Sequence, residues 1–158
     1  MNSAADRVRL ATVADLHGFL GLAAQVEQWF GPMINVAGFH NAVKKTAHAR
    51  TALCVDGDDG LDGGILCNRC PYHFQISWLV VSEHARGAGI GSALLRSAIS
   101  RFVTPPATVA VVTFGKDHPS ATSGRVRDFY SNHGFTTAEE ADTGPDGTSR
   151  QWFRLAVH

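Results

Sequence analysis

The feature that most constrains the fold is a glycine-rich segment between an apolar run and a stretch of helical periodicity. The apolar run Leu79–Val81 leads into a polar turn that carries Arg86. Three glycines then alternate with other residues: Gly87, Gly89 and Gly91. Glycine lets the backbone adopt left-handed or crowded conformations, so successive N–H groups can converge on an anion at the positive end of a helix. The sequence therefore predicts a strand, an anion-binding loop and a helix, with Arg86 able to add a bidentate contact to the anion.

Two common phosphate-binding motifs do not fit this loop. A Walker loop needs a lysine directly after its last glycine, whereas Ser92 follows Gly91. A dinucleotide-binding fingerprint needs Gly-x-Gly-x-x-Gly, and counting from Gly87 the third glycine position is again Ser92. The loop must therefore belong to another class of anion site.

A second motif lies downstream, beyond one strand-like run. It is Phe129-Tyr130-Ser131-Asn132-His133-Gly134-Phe135. In this order, the Arg-x-x-Gly-x-Gly loop and the aromatic-Tyr-x-x-x-Gly-Phe segment resemble the acetyl-CoA loop and the fourth-helix end of the GCN5-related N-acetyltransferase (GNAT) superfamily. The resemblance covers roughly residues 72 to 137.

The resemblance implies that acetyl-CoA is the acyl donor and that its acetyl group passes directly to a primary amine in a ternary complex. It also implies that loop N–H groups hold the pyrophosphate, and that a bulge splays the fourth strand from the fifth so that backbone groups can pair with the pantetheine arm. The expected cofactor-binding residues are Leu79, Val80, Val81, Arg86, Gly87, Ala88, Gly89, Ile90, Gly91, Ser92 and Ser123.

Ser123 is a departure from the family pattern. Many relatives carry a cofactor-contacting asparagine seven residues before the tyrosine, and Ser123 occupies that place here. Serine is shorter than asparagine, so Thr122 and Arg125 are alternatives for this contact.

The expected general acid is Tyr130, because it stands where the family's tyrosine stands and a phenol can donate a proton to a leaving sulfur. The alternative is a core aromatic on the helical stripe that includes Val126 and His133. His118, after the fifth strand, is the preferred general base because histidine titrates near neutrality, although a plain surface histidine is the alternative. Other base candidates near predicted element ends are Glu27, Glu83, His84 and Asp117.

The acceptor is expected against the first two helices, where the resemblance implies a semi-apolar wall. The expected substrate-binding residues are Trp29, Phe30, Phe39 and His40. The alternative is that several of these residues belong to the core. We expect a small amine-bearing molecule rather than a protein amino terminus or a lysine. A non-catalytic acyl-CoA sensor or interaction module of the same fold is the alternative function.

Composition bounds the remaining possibilities. The 158 residues suffice for one domain, 1–158, and the 14 basic and 14 acidic residues give no net charge, so nucleic-acid and membrane partners are not expected. The chain contains no membrane-length apolar run or leader pattern, so a cytoplasmic enzyme is expected. Exposed edge strands make a homodimer an open alternative.

Of the three cysteines, Cys67 and Cys70 lie near His73 in the sequence. We favour a hairpin tip for this segment over a zinc-stabilised binding domain, and no metal is expected.

The order of predicted elements is β-α-α-β-β-β-α-β-α-β-β, a mixed α/β fold. A capping box at Thr12–Asp15 begins the first helix, which ends before Gly31, and a second helix covers about 35–49. The third helix follows the glycine loop, and the fourth ends at Gly134, after a polar loop at 115–124. Strands are expected at 8–12, 51–55, 63–67, 72–81, 108–114, 135–138 and 150–157, with a turn at 144–147 before the last.

Overall fold

The computed structural model describes residues 3–145 and 147–158, which form a seven-stranded mixed sheet with helices on both faces. The strands are β1 (Val8–Leu10), β2 (Ala52–Gly57), β3 (Gly60–Arg69), β4 (Phe74–Val81), β5 (Ala107–Phe114), β6 (Thr136–Ala141) and β7 (Arg150–Val157). The helices are α1 (Leu16–Ala24), α2 (Glu27–Phe30), α3 (Ala37–Ala49), α4 (Ile90–Phe102) and α5 (Ala121–Asn132). The predicted α/β fold and element order are confirmed.

The sheet order is β1-β2-β3-β4-β5-β7-β6. Neighbouring strands are antiparallel except β4 and β5, which are parallel because α4 crosses over between them. This crossover places the start of α4 at the carboxyl end of β4. The glycine loop therefore lies at the edge where β4 and β5 both end.

Both faces of the sheet are buried. In β2, Leu53 and Val55 pack in the cluster with α4, whereas Ala52 and Cys54 pack in the cluster with α1 and α3, as the two-residue period of a strand requires. On β3, a Cβ at Gly64 would lie 2.5 Å from Cε1 of Phe19, so α1 packs directly on the strand backbone.

Three local predictions need correction. The first helix was expected to continue until Gly31, but α1 ends at Ala24 and a separate single turn, α2, follows. The expected polar loop at 115–124 ends earlier, because Oγ of Ser120 accepts a hydrogen bond from the Ser123 N–H at 3.2 Å and so caps α5 from Ala121. The strand β3 is longer than the expected strand at 63–67, because its backbone pairing with β2 and β4 continues into polar residues on both sides.

Other local predictions hold. The capping box between Thr12 and Asp15 is present, and Gly134 has the left-handed φ of +91°. In the predicted turn at 144–147, the Gly147 N–H donates to the Gly144 carbonyl at 2.9 Å, while Asp146 lies outside the described residues. Within residues 3–145 and 147–158, no helix has the length and apolar character needed to cross a bilayer.

Candidate active site

The glycine loop has the backbone geometry of an anion-binding turn. Gly87 and Gly89 have φ values of +85° and +80°, and Gly89 is the N-cap of α4. A Cβ built at either position would meet no atom within 4 Å. The space beside the loop is therefore open at the amino end of a 13-residue helix, where free N–H groups and the helix dipole favour an anion.

The beginning of this loop is held by a polar network. Gln25, between α1 and α2, accepts a hydrogen bond from the Glu83 N–H at 2.9 Å and donates to Oγ of Ser82 at 3.2 Å. His84 lies between Oγ of Ser82, at 2.8 Å from Nδ1, and Asp62, at 3.0 Å from Nε2. These contacts fix the turn that leads from β4 to Arg86.

A bulge lies in β4, as the resemblance implied. Leu66 pairs with Trp78 and Cys67 with Ile76, so Ser77 is an extra residue in β4. The Asn68 side chain on β3 donates to the Ser77 hydroxyl. The parallel pairing of β4 with β5 ends at Ile76 and Val111, although the strands continue to Val81 and Phe114. Backbone groups beyond the bulge therefore face a gap between the two strands.

One cleft of about 800 Å³ runs from the glycine loop through this gap. Nine of the eleven predicted cofactor residues line it: Leu79, Val80, Val81, Arg86, Gly87, Gly89, Ile90, Gly91 and Ser92. Ala88 and Ser123 do not line it. Ser123 is buried and its hydroxyl donates to the Ser120 carbonyl at 2.6 Å, whereas Thr122 and Arg125 do line the cleft.

Tyr130 lies on α5 where the cleft passes between the splayed strands. The residue is 5% exposed and packs edge-on against Phe129 and Phe135, at centroid distances of 5.1 and 5.4 Å. No group in the described part of the chain forms a hydrogen bond with its hydroxyl. Burial raises the pKa of Tyr130 well above its usual range, and the nearby Cys67 thiol adds to this effect. The hydroxyl therefore stays protonated at neutral pH.

The structure places His118 beside the cleft rather than in its lining. The His118 ring packs on Phe114 at 4.6 Å, and its Nδ1 accepts a hydrogen bond from the Ser120 N–H at 3.2 Å. Glu27 instead accepts hydrogen bonds from the N–H groups of Met33 and Ile34, which shapes the loop after α2. Among the described residues, the one carboxylate that lines the cleft is Asp142, just after β6. The sequence analysis did not find it, because a lone aspartate before a turn gives no distinguishing signal.

The far side of the cleft is apolar, and we call it the aromatic end. It is lined by Trp29, Phe30, Met33, Trp78 and Phe114. Two of the four expected substrate-binding residues, Trp29 and Phe30, are in this set. Phe39 instead packs in the core at 5.3 Å from Trp78, and Nε2 of His40 lies 2.5 Å from the Ile34 carbonyl oxygen.

A buried cation, Arg150, braces the aromatic end. Its guanidinium lies 4.8 Å from the centre of the Phe114 ring and donates to the Trp29 carbonyl at 2.8 Å. It also donates to Oγ1 of Thr148 at 2.8 Å and to the Ser149 carbonyl at 3.2 Å. Arg150 thus ties β7 to α2, a contact between residues that are 121 positions apart in the chain.

The two cysteines of the segment do not line the cleft, although the Cys67 thiol lies near Tyr130, which does. Cys67 is fully buried in β3, and Sγ of the half-buried Cys70 donates to Oε1 of Gln75 at 3.9 Å. Among the described residues, no group of three histidine, cysteine or acidic side chains is positioned to hold a metal ion.

Comparison with known proteins agrees with the fold and the loop. A family model described as the acetyltransferase (GNAT) domain matches residues 47–137, more than half of the chain, so the protein belongs to the GNAT acetyltransferase family. It is an N-acetyltransferase of a fold that binds acyl-CoA and acts on an acceptor substrate. No curated protein sequence matches the chain.

Solved structures show the same fold at low sequence identity. Ard1 from Thermoplasma volcanium is 15% identical, covers 96% of this chain and 97% of its own, and has a TM-score of 0.75. Ribosomal-protein-alanine N-acetyltransferase from Brucella melitensis is also 15% identical, with coverages of 95% and 99% and a TM-score of 0.69. The GphF GNAT-like decarboxylase, in complex with isobutyryl-CoA, is 17% identical, with coverages of 95% and 98% and a TM-score of 0.72.

Proposed function

We propose that this single-domain protein transfers an acetyl group from acetyl-CoA to the primary amine of a small molecule, by direct transfer in a ternary complex. The observation that carries the proposal is the continuity of the cleft. One space joins the glycine loop, the gap beyond the β4 bulge, the Tyr130 hydroxyl and the aromatic end. Donor and acceptor could therefore meet at Tyr130 from opposite sides.

The residues present fit a CoA pyrophosphate and its arm. The open space at Gly87 and Gly89 admits phosphate oxygens that a Cβ at either position would exclude. Arg86 and Arg125, which both line this end of the cleft, supply positive charge. Beyond the bulge, N–H and C=O groups of residues 79–81 have no β5 partner along their strand edge and would pair with the amide groups of the arm.

The chemistry needs an aligned thioester, a neutral amine and a proton for the leaving sulfur. Acetyl-CoA, when bound, supplies an acetyl thioester whose C–S bond breaks as the amine nitrogen bonds to the acetyl carbon. Tyr130 keeps its proton because burial raises its pKa, so it can donate that proton to the departing sulfur. The proton lost by the amine goes to water or to a base beside the cleft, and His118 stays our candidate for that base.

A small acceptor is supported by how the aromatic end closes. Gly31, with φ +80°, approaches Pro145 so closely that a Cβ would lie 3.0 Å from the Pro145 Cβ. Arg150 ties the same two regions through the Trp29 carbonyl. The connection after β6 and the segment after α2 therefore touch, which narrows this side of the cleft against an extended peptide. Ard1 and the ribosomal-protein-alanine N-acetyltransferase share the fold at an identity too low to decide the acceptor.

The first test is ligand-dependent thermal stability followed by turnover. At a hundred times its Kd, acetyl-CoA should stabilise the native state by about 2.7 kcal/mol, which raises Tm by about 5 to 11 °C for a chain of this size. ATP and NADH at equal concentration should raise Tm far less. Isobutyryl-CoA, measured in the same way, tests whether the cleft accepts an acyl group larger than acetyl. Equal stabilisation by NADH would refute the assignment of the loop. Binding of acetyl-CoA without turnover on any amine would favour the sensor alternative.

A further inference from the structure

Resting on the proposed function, we infer that the acceptor is a monoamine whose amino group is attached to an aromatic or other bulky apolar body, with no carboxylate beside the amine. Three observations carry this inference: the lining of the aromatic end, the single acidic side chain among the described residues that line the cleft, and the engagement of Arg150 with the protein itself.

The aromatic end offers surface suited to a ring. Trp29 and Phe30 come from α2, Trp78 from β4 and Phe114 from β5, so apolar side chains from three elements face one space. Phe30 stacks on Phe114 with centroids 5.5 Å apart and planes inclined by 29°. These contacts hold two walls of the space in place before any ligand binds. Burial of an apolar ring in this space should make an acceptor that carries the ring bind roughly 10- to 100-fold more tightly than one that carries a polar, hydrated chain.

Arg86 and Arg125 line the donor end of the cleft, where CoA phosphates would neutralise them, so the charge left to act on an acceptor is that of Asp142. Asp142 is the only carboxylate among the described residues that line it, and the residue is exposed at the mouth. No ion-pair partner for Asp142 lies within residues 3–145 or 147–158. An ammonium group entering the cleft is attracted by this carboxylate, whereas a free carboxylate on the acceptor is repelled by it.

Arg150 does not offset that selection. An arginine in a binding cleft ordinarily suggests recognition of a carboxylate. Here one face of the guanidinium covers the Phe114 ring, and its N–H groups donate to the Trp29 carbonyl, the Ser149 carbonyl and Oγ1 of Thr148. Its donors are thus committed to holding α2 against β7. An amino acid acceptor at the aromatic end would therefore not find the Arg150 guanidinium available for its carboxylate, and Arg86 and Arg125 lie at the glycine loop instead.

Polyamines and peptides fit the same space less well. A second ammonium, as in putrescine, would have to lie among the apolar side chains of the aromatic end, where the described residues offer no second carboxylate to pair it. An extended peptide would have to pass the contact between Gly31 and Pro145. A single amino group on an apolar body satisfies both limits.

The test compares four acceptors at saturating acetyl-CoA, by release of the CoA thiol: 2-phenylethylamine, phenylalanine, putrescine and an unblocked tetrapeptide. We expect kcat/KM for 2-phenylethylamine to exceed that of each other acceptor by at least tenfold. If any of the other three equals or exceeds it, or if 2-phenylethylamine is not acetylated by protein that does acetylate another amine, the inference is wrong. Failure of acetyl-CoA itself to bind or to react with any amine would instead count against the proposed function.

Two variants locate the effect in the cleft. Trp29→Ala should raise KM for 2-phenylethylamine about tenfold and leave KM for acetyl-CoA within twofold. Asp142→Asn should raise KM for the amine several-fold, and the raised KM should no longer depend on salt concentration. Asp59→Asn, an exposed aspartate in the β2–β3 turn, is the matched control and should change neither constant. Unaltered amine KM in both cleft variants would overturn the assignment of the aromatic end.

Discussion

Replacing Tyr130 with phenylalanine separates a catalytic role from a packing role. The change removes one oxygen and keeps the ring that packs at 5.1 Å from Phe129 and 5.4 Å from Phe135. The Tyr130 hydroxyl has no hydrogen-bond partner within the described residues, so its removal breaks no such bond between protein groups. We therefore expect the free energy of unfolding to change by no more than about 0.5 kcal/mol, which is less than about 2 °C in Tm.

The expected effect on turnover is much larger. If the buried, protonated hydroxyl donates its proton to the leaving sulfur, its loss lowers kcat by roughly 10²-fold, or about 2.7 kcal/mol of transition-state stabilisation. The affinity for acetyl-CoA should stay within about twofold, because the loop and the strand edge are untouched. The loss therefore appears in kcat rather than in KM for the donor.

The assay is thiol release with a reactive amine, measured beside a melting curve and calorimetric titration of acetyl-CoA. The chain has two tyrosines, and Tyr72→Phe is the matched control because Tyr72 is 93% exposed at the β3–β4 turn. Near-normal kcat in Tyr130→Phe would refute the general-acid assignment and make Tyr130 a core residue. A large drop in Tm would instead show that the hydroxyl has a structural role.

Three further predictions test the loop, the packing and the pH response. Gly89→Asp should weaken acetyl-CoA binding at least tenfold (about 1.4 kcal/mol) by calorimetry, because it places a Cβ and a negative charge in the open anion space. Gly60→Asp carries the same change at φ +96° in a remote open turn and should bind normally; equal losses would refute the site. Gly64→Ala should lower stability by about 1–3 kcal/mol in denaturant titrations, since its Cβ would lie 2.5 Å from Phe19, whereas Gly21→Ala, in open space on α1, should raise it by about 0.5–1 kcal/mol. Burial, aided by Arg96, lowers the pKa of His133. Neutral His133 therefore contributes fully to the free energy of unfolding above the ordinary histidine pKa, and this contribution declines as pH falls from 7 towards 5. The fall in Tm over that range should be smaller in His133→Asn than in the wild type and unchanged in His17→Asn; identical slopes in all three proteins would contradict this.

Much of the donor half of the site could be predicted from the sequence. Gly87, Gly89 and Gly134 occupy positions of positive φ, and the helix that follows the loop begins at Ile90. These features depend on backbone preferences of a few consecutive residues, which the local sequence carries directly. The motif order then placed Tyr130 in the cleft, although its chemical role stays a prediction.

The acceptor half could not be predicted in the same way. Sequence analysis grouped Phe39 and His40 with Trp29 and Phe30, and the structure brings only Trp29 and Phe30 into the cleft. An aromatic residue that lines a site and one that fills a core have the same helical spacing, so periodicity cannot separate them.

By itself, the sequence determined the fold class, the position of the glycine loop before a helix and the family of the protein. Only the tertiary structure decided that Asp142 and Arg150 share the cleft with Trp29 and Trp78. Arg150 reaches the Trp29 carbonyl across 121 residues of chain, and the gap between β4 and β5 opens where one extra residue in β4 ends the pairing of the two strands. Such contacts depend on how separate elements pack against each other, and no local preference of the chain specifies that packing.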